Sequence, residues 1–142
     1  VAIVTCPKCG KKNRVAASAE GVPRCGNCHE LLPWLVDADD SSFESELRTS
    51  LPVLVDLWAP WCGPCKWVSP AIEELATTHR GELKVIKVNV DDAPQVAARF
   101  EVRGIPTLVV MRDGHEVDRI AGAPSRPDLA AWLERHLAER VG

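Results

Sequence analysis

No stretch of the sequence approaches the roughly 18 apolar residues that a membrane-crossing helix needs. The opening "VAIVTCPKC" has no cationic segment leading into an apolar one, so no secretory signal is expected. No flavin or dinucleotide fingerprint occurs, and no bound organic cofactor is expected. Tyrosine is absent, which by itself excludes nothing. The net charge of −3 leaves the whole molecule without the strong positive balance of a polyanion binder.

What is present suits a globular protein. The 142 residues are enough for one modest domain and a small appendage. They are 46% hydrophobic and 26% charged. All six cysteines fall in CxxC pairs: Cys6-Cys9, Cys25-Cys28 and Cys62-Cys65. Without a secretory signal that pattern points to metal binding or redox work, and to a cytoplasmic setting, where structural disulfides are rare.

Charge and pattern divide the chain near Leu32-Pro33. Residues 1–33 carry Lys8, Lys11, Lys12, Arg14 and Arg24 against Glu20 and Glu30, whereas residues 34–142 are net acidic. In the first unit, Cys6-x2-Cys9 and Cys25-x2-Cys28 are separated by a loop long enough to bring two knuckles together. Four thiolates so spaced can close a tetrahedron around Zn²⁺. Gly10 and Gly26 stand where a knuckle needs unusual φ values or close backbone approach. The unit has too few large apolar residues for a core of its own, so a metal or covalent link must hold it. Two structural disulfides are the alternative. His29, next to Cys28, could replace a cysteine but reads as a surface residue. The basic cluster offsets the negative charge of a zinc–tetrathiolate site. With no aromatic side chain interleaved for base stacking, nucleic acid is not an expected partner.

From Trp34 onward strands and helices alternate. "WLVD" reads as a strand, and Ser41-Ser42-Phe43-Glu44 has the S-x-x-E form that opens a helix, with Phe43, Leu47 and Leu51 on one face. "VLVDLWA" (53–59) is an apolar run suited to a central strand covered on both faces. A helix is predicted from Cys62 or Gly63 to His79, kinked at Pro70. "LKVIKVNV" is a strand, residues 94–100 a short helix, and "TLVVMRDGHEVDRI" a hairpin turning at Asp-Gly. Ser125-Arg126-Pro127-Asp128 caps a final helix. The order implies an α/β fold, a three-layer α/β/α sandwich with a mixed central sheet.

In that frame Cys62 lies after a central strand at a helix N-terminus. Free N–H groups and the helix dipole there stabilise a thiolate, the attacking form. Cys65, one turn on, is in disulfide reach and is expected to lie deeper. Pro64 brings no N–H and no charge, which stabilises the Cys62 thiolate only moderately and favours a reductant. On this reading the three CxxC pairs differ by context and not by their own letters. Asp56 is a lone carboxylate in an apolar strand. Burial would raise its pKa, and it could take the proton from Cys65. A salt bridge from Asp56 to Lys87 on the next strand is compatible with that role. Pro106, entering a strand after Gly104-Ile105, could be cis or trans on spacing alone. Trp58 and Trp67 flank the cysteines and read as packing residues; His79, His115 and His136 are scattered.

Taken together, "VDLWAPWCGPCK", the helix with Pro70, "KVNVDD", "RGIPTLVV", the Asp-Gly hairpin and "AGAPSR" resemble the thioredoxin family throughout residues 34–142. With the four-cysteine leader the whole chain resembles the second bacterial type of that family, which carries an N-terminal zinc-binding extension. The resemblance implies a protein-disulfide reductase with Cys62 as nucleophile, Cys65 as resolving cysteine, Asp56 as buried acid and Lys87 as its partner. It implies a cis Pro106, which with Trp61, Gly63, Pro64, Gly104, Ile105 and Gly122 forms the surface where substrate docks. It implies zinc on Cys6, Cys9, Cys25 and Cys28, and recycling by thioredoxin reductase with electrons from NADPH. Disulfide-bearing proteins would be the substrates and a monomer the working state. The alternative is a zinc-dependent module that binds a partner or nucleic acid, with the remainder a scaffold.

Overall fold

The computed structural model of the protein describes residues 2–15 and 22–139. Glu20, counted above in the charge of the first unit, and the last residues of the 34–142 unit lie outside them.

Two short strands come first, β1 (Ala2–Thr5) and β2 (Lys12–Val15), paired antiparallel. The first knuckle is the loop between them. Cys6 N–H donates to Lys11 O at 2.9 Å and Gly10 N–H to Cys6 O at 3.0 Å, with Gly10 at φ +80°. The second knuckle repeats this: Cys25 N–H donates to Glu30 O at 2.8 Å and His29 N–H to Cys25 O at 3.0 Å. The residue after its second cysteine is also left-handed, and it is His29, at φ 65°. The expectation of an unusual φ therefore holds for Gly10 but not for Gly26. Gly26 instead donates its N–H to Asn13 Oδ1 at 2.9 Å, which ties the two knuckles together.

Five strands form the main sheet in the order β3-β5-β4-β6-β7: β3 (Trp34–Ala38), β4 (Val53–Trp58), β5 (Lys84–Asn89), β6 (Thr107–Arg112) and β7 (His115–Ala121). β5 runs parallel to β3 and β4, while β6 and β7 are antiparallel additions. The hairpin turns at Asp113 (φ 51°) and Gly114 (φ 80°), the two positive values of a type I′ turn.

Side chains alternate along β4 and serve two cores. Leu54 faces α2 (Cys65–Thr78) and α4 (Arg126–Glu139), meeting Val68, Ile72, Leu75, Leu129 and Leu133. Val53, Val55 and Leu57 face the other way, toward Phe43 of α1 (Phe43–Glu46) and Val96 and Phe100 at α3 (Pro94–Arg99). Phe43 and Phe100 meet edge to face at 5.7 Å. Each fully buried Leu or Ile contributes roughly 1.5–3 kcal/mol, so both helical layers are held by the sheet. The second core also takes in Val4, Cys6, Val15, Cys25 and Leu32, so the apolar residues around the knuckles share the core of the larger fold.

Three local expectations are revised. α1 spans only four residues, and Ser42 makes no side-chain cap bond. Asp39 Oδ1 takes the Ser41 and Ser42 N–H groups instead, which closes a turn and leaves little helix. α2 begins at Cys65, not at Cys62 or Gly63; it passes through Pro70 and ends at Thr78. Lys84, read as an ordinary strand residue, is fully buried. Its Nζ donates to Glu46 Oε1 at 2.9 Å and Glu46 O at 2.6 Å and lies 4.3 Å from the Trp34 ring centroid.

Candidate functional site

β4 delivers the redox pair. After Trp58 the chain turns, Cys62 N–H donating to Ala59 O at 3.1 Å, and α2 starts after Pro64 at φ −60°. Cys62 and Cys65 form a disulfide with Cα atoms 5.4 Å apart. The first N–H of the helix, that of Cys65, donates to Cys62 Sγ at 3.2 Å. That donor and the positive helix end favour negative charge on Cys62 over Cys65. The expected difference in depth is absent: the residues are 4% and 5% exposed. What distinguishes the sulfurs is the hydrogen bond, not burial.

Asp56 is 1% exposed, and its Oδ2 has no hydrogen-bond partner. It shares a sheet face with Leu54, and so lies under α2, whose first residue is Cys65. Burial raises its carboxyl to about 6, against a lowering pull from Lys87. The salt bridge to Lys87 does not form. Lys87 stands opposite Asp56 in the strand register, yet its ion pair, at 3.9 Å, is with Glu73 of α2. Lys87 acts on Asp56 through space.

The Ile105-Pro106 bond is cis. Ile105, with Trp58 and Val90, packs on the cluster of Ala59, Cys62 and Cys65. Gly122 N–H, at φ 98°, donates to Pro106 O at 2.8 Å and holds the two loops together. Gly63, Gly104 and Gly122 are exposed, with no atom within 4 Å of where a Cβ would stand. Pro64 is exposed beside them. Trp61 is 69% exposed, its Nε1–H reaching Asp91 Oδ1 at 3.3 Å. Asp91 was not singled out in the sequence; an acid after "VNV" carries no mark of an indole partner 30 residues away.

The four sulfurs of Cys6, Cys9, Cys25 and Cys28 lie within 4.8 Å of one another. Cys6–Cys28 and Cys9–Cys25 are each 3.6 Å apart, close to the edge of about 3.8 Å that Zn–S bonds of about 2.3 Å give a tetrahedron. N–H donors surround them: Lys8 and Cys9 to Cys6, and Asn27 and the Asn13 amide to Cys25. The Cys28 and Asn27 backbone N–H groups and the Asn13 amide, outweighing desolvation, lower Cys25 to about 6. At Cys28 the Glu30 N–H pulls the thiol down, but desolvation and the other three sulfurs push it up to about 12. Four sulfurs this close, with N–H donors around them, make the arrangement a tetrathiolate metal site needs. The residues fit a metal ion. His29 is exposed beside them.

Among known proteins, the thioredoxin family model matches residues 34–135. The chain belongs to the thioredoxin family. Relatives include thioredoxin C-3 of Corynebacterium nephridii, 40% identical over 144 residues that cover 99% of both chains. Thioredoxin 1 of Nostoc sp. is 48% identical over 99 residues, 69% of this chain and 92% of the relative. The thioredoxin of Staphylococcus aureus is 43% identical over 103 residues, 72% and 98%. Membership makes this thioredoxin a thiol–disulfide oxidoreductase, and the Cys62-Cys65 pair lies near its active site. Among the described residues no helix is long and apolar enough to cross a membrane.

Proposed function

We propose that this thioredoxin is a protein-disulfide reductase that works through the dithiol of Cys62-Gly63-Pro64-Cys65. The observation that carries the reading is the Cys65 N–H aimed at Cys62 Sγ at the start of α2, above a buried carboxylate without a hydrogen-bond partner on Oδ2.

Cys62 attacks as thiolate. A Cys62–substrate S–S bond forms, the substrate disulfide breaks, and one substrate sulfur leaves as thiolate. Asp56 takes the Cys65 proton, which a carboxylate with a pKa near 6 can do at neutral pH. Cys65 then attacks Cys62 Sγ, the mixed disulfide breaks, and the second substrate sulfur leaves. Two electrons have passed to the substrate, and the Cys62–Cys65 disulfide remains. Lys87 tunes Asp56 by its charge. Trp61, Gly63, Pro64, Gly104, Ile105, Pro106 and Gly122 form the surface on which the substrate backbone docks. NADPH, through thioredoxin reductase, returns the dithiol and makes the protein an electron carrier in cell redox balance.

Cys6, Cys9, Cys25 and Cys28 would hold one Zn²⁺. The ion supplies a cross-link in a 1–33 unit whose apolar residues are few, and no step of the exchange involves it. Residues 34–142 form the thioredoxin domain. A reducing cytoplasm suits four thiolates kept for a metal.

The test is reduction of insulin disulfides with NADPH and thioredoxin reductase. The wild type is expected to drive NADPH oxidation and Cys62→Ser to leave it at the rate without thioredoxin. A wild type no faster than that rate refutes the reading.

A further inference from the structure

Four large hydrophobic side chains are exposed among the described residues: Ile3, Trp61, Trp67 and Val117. The two aromatic ones bracket the redox pair in "WCGPCKW". Trp67 was expected to pack the site, but it is 42% exposed. Its backbone sits directly under the redox turn, Trp67 N–H donating to Pro64 O at 3.3 Å. A helical side chain leans toward the N-terminus and covers the turn before its own Cα. Trp67 lies in the first turn of α2, so that direction is toward the redox turn. Its indole N–H has no hydrogen-bond partner among the described residues, whereas that of Trp61 is tied to Asp91.

Exposing so large an apolar ring in the first turn of the helix that begins at Cys65 has no folding benefit. The next helix positions, Val68, Ala71 and Ile72, are the ones that bury into the core. A macromolecule whose disulfide reaches Cys62 must pass over this first turn, because Cys62 is recessed at 4% exposure while Gly63, Pro64, Lys66 and Trp67 stand around it.

We propose that Trp67 is a specificity-determining residue, which contacts an apolar side chain flanking the disulfide of a protein substrate, on the α2 side of the redox pair. The proposal rests on the reductase reading. Trp61 and the Pro106 loop bind the peptide next to the attacked sulfur; Trp67 extends the contact across the helix start and selects among substrates. Lys66 beside it favours substrates with a carboxylate near the apolar residue and disfavours cationic ones. A small disulfide with no polypeptide around it gains nothing from Trp67.

The experiment compares second-order rate constants of the pre-reduced protein for two oxidants, insulin and bis(2-hydroxyethyl) disulfide, in the wild type, Trp67→Ala and Trp67→Phe. The expected result is a fall of about fivefold in the insulin-to-small-disulfide rate ratio for Trp67→Ala, the size of a modest interface contact. Trp67→Phe should restore most of the ratio, because a ring remains. An unchanged ratio in Trp67→Ala, whether both rates hold or both fall together, overturns the proposal. A wild type that reduces neither oxidant overturns the reductase reading and this inference with it, which separates the two failures.

Discussion

Cys25-Gly26-Asn27-Cys28 and Cys62-Gly63-Pro64-Cys65 differ by one residue, yet their sulfurs meet different partners. In the first, the chain closes into a knuckle, and each sulfur lies 3.6 Å from a cysteine of the other knuckle. In the second, the chain runs into α2, and the two sulfurs bond to each other. Context sets the two jobs apart, and Pro64 is expected to tune the thiolate by its missing N–H; the structure adds a role for Asn27. Asn27 donates its backbone N–H to Cys25 Sγ at 3.4 Å and its amide to Cys9 Sγ at 3.6 Å. Pro64 can do neither, and its fixed φ starts a helix whose first N–H points at Cys62. The third letter of each motif is part of the mechanism: one supplies donors to a thiolate cluster, the other starts a helix and withholds a donor.

The largest expected effects act on the redox pair. Cys62→Ser should remove insulin reduction entirely, and Cys65→Ser should accumulate mixed disulfides visible by mass spectrometry. Identical behaviour of the two variants would contradict the order of attack.

The folded Asp56 pKa of about 6 lies above the ordinary 3.8. The folded state therefore holds the proton more tightly than the unfolded state, and stability falls as pH rises from about 4 to about 6, then stays at the lower level. The difference between the two values amounts to about 3 kcal/mol. Asp56→Asn should be more stable than wild type by that order at pH 7 and indistinguishable from it below pH 4, measured by urea unfolding. It should also slow release of the mixed disulfide. Equal stability at pH 7 would remove the buried, ionisable acid from the account.

Asn27→Pro exchanges the distinguishing letter and should weaken zinc binding about 10- to 100-fold by chelator competition, while the Cys62-Cys65 dithiol keeps its rate. Unaltered zinc affinity would return the difference to context.

The smallest effect lies at the seam between the knuckles and α2. Gly81, at φ +87° just after that helix, would place a Cβ 2.9 Å from Leu31 Cδ1 beside the second knuckle. Gly81→Ala should cost about 1–2 kcal/mol of stability, read as a lower urea midpoint, with the insulin rate kept.

Much of this was legible in the residues. Strand periodicity located β3 to β7 within about two residues, and the Asp-Gly hairpin and the four-cysteine set stand where their spacing placed them. What escaped depends on side chains meeting across long separations. The S-x-x-E form puts the helix cap at Ser41, but Asp39 takes the Ser41 and Ser42 backbone donors. Asp40, in a loop, accepts the Gln95 and Val96 N–H groups at the start of α3. Lys87 sits opposite Asp56 in register but pairs with Glu73, because α2 covers that face of the sheet. The burial of Lys84 depends on Glu46, 38 residues away. Local pattern encodes elements, whereas the choice of ionic partner is made only once layers are stacked.

The most direct test of the central claim, that one CxxC pair exchanges electrons while two hold a metal, is elemental mass spectrometry joined to a thiol count. The native protein, purified without chelator, is cycled between dithiothreitol and a mild disulfide oxidant. The account predicts one zinc per chain throughout, with only Cys62 and Cys65 gaining and losing thiols. Protein without zinc, in which all six cysteines enter disulfides, would contradict it.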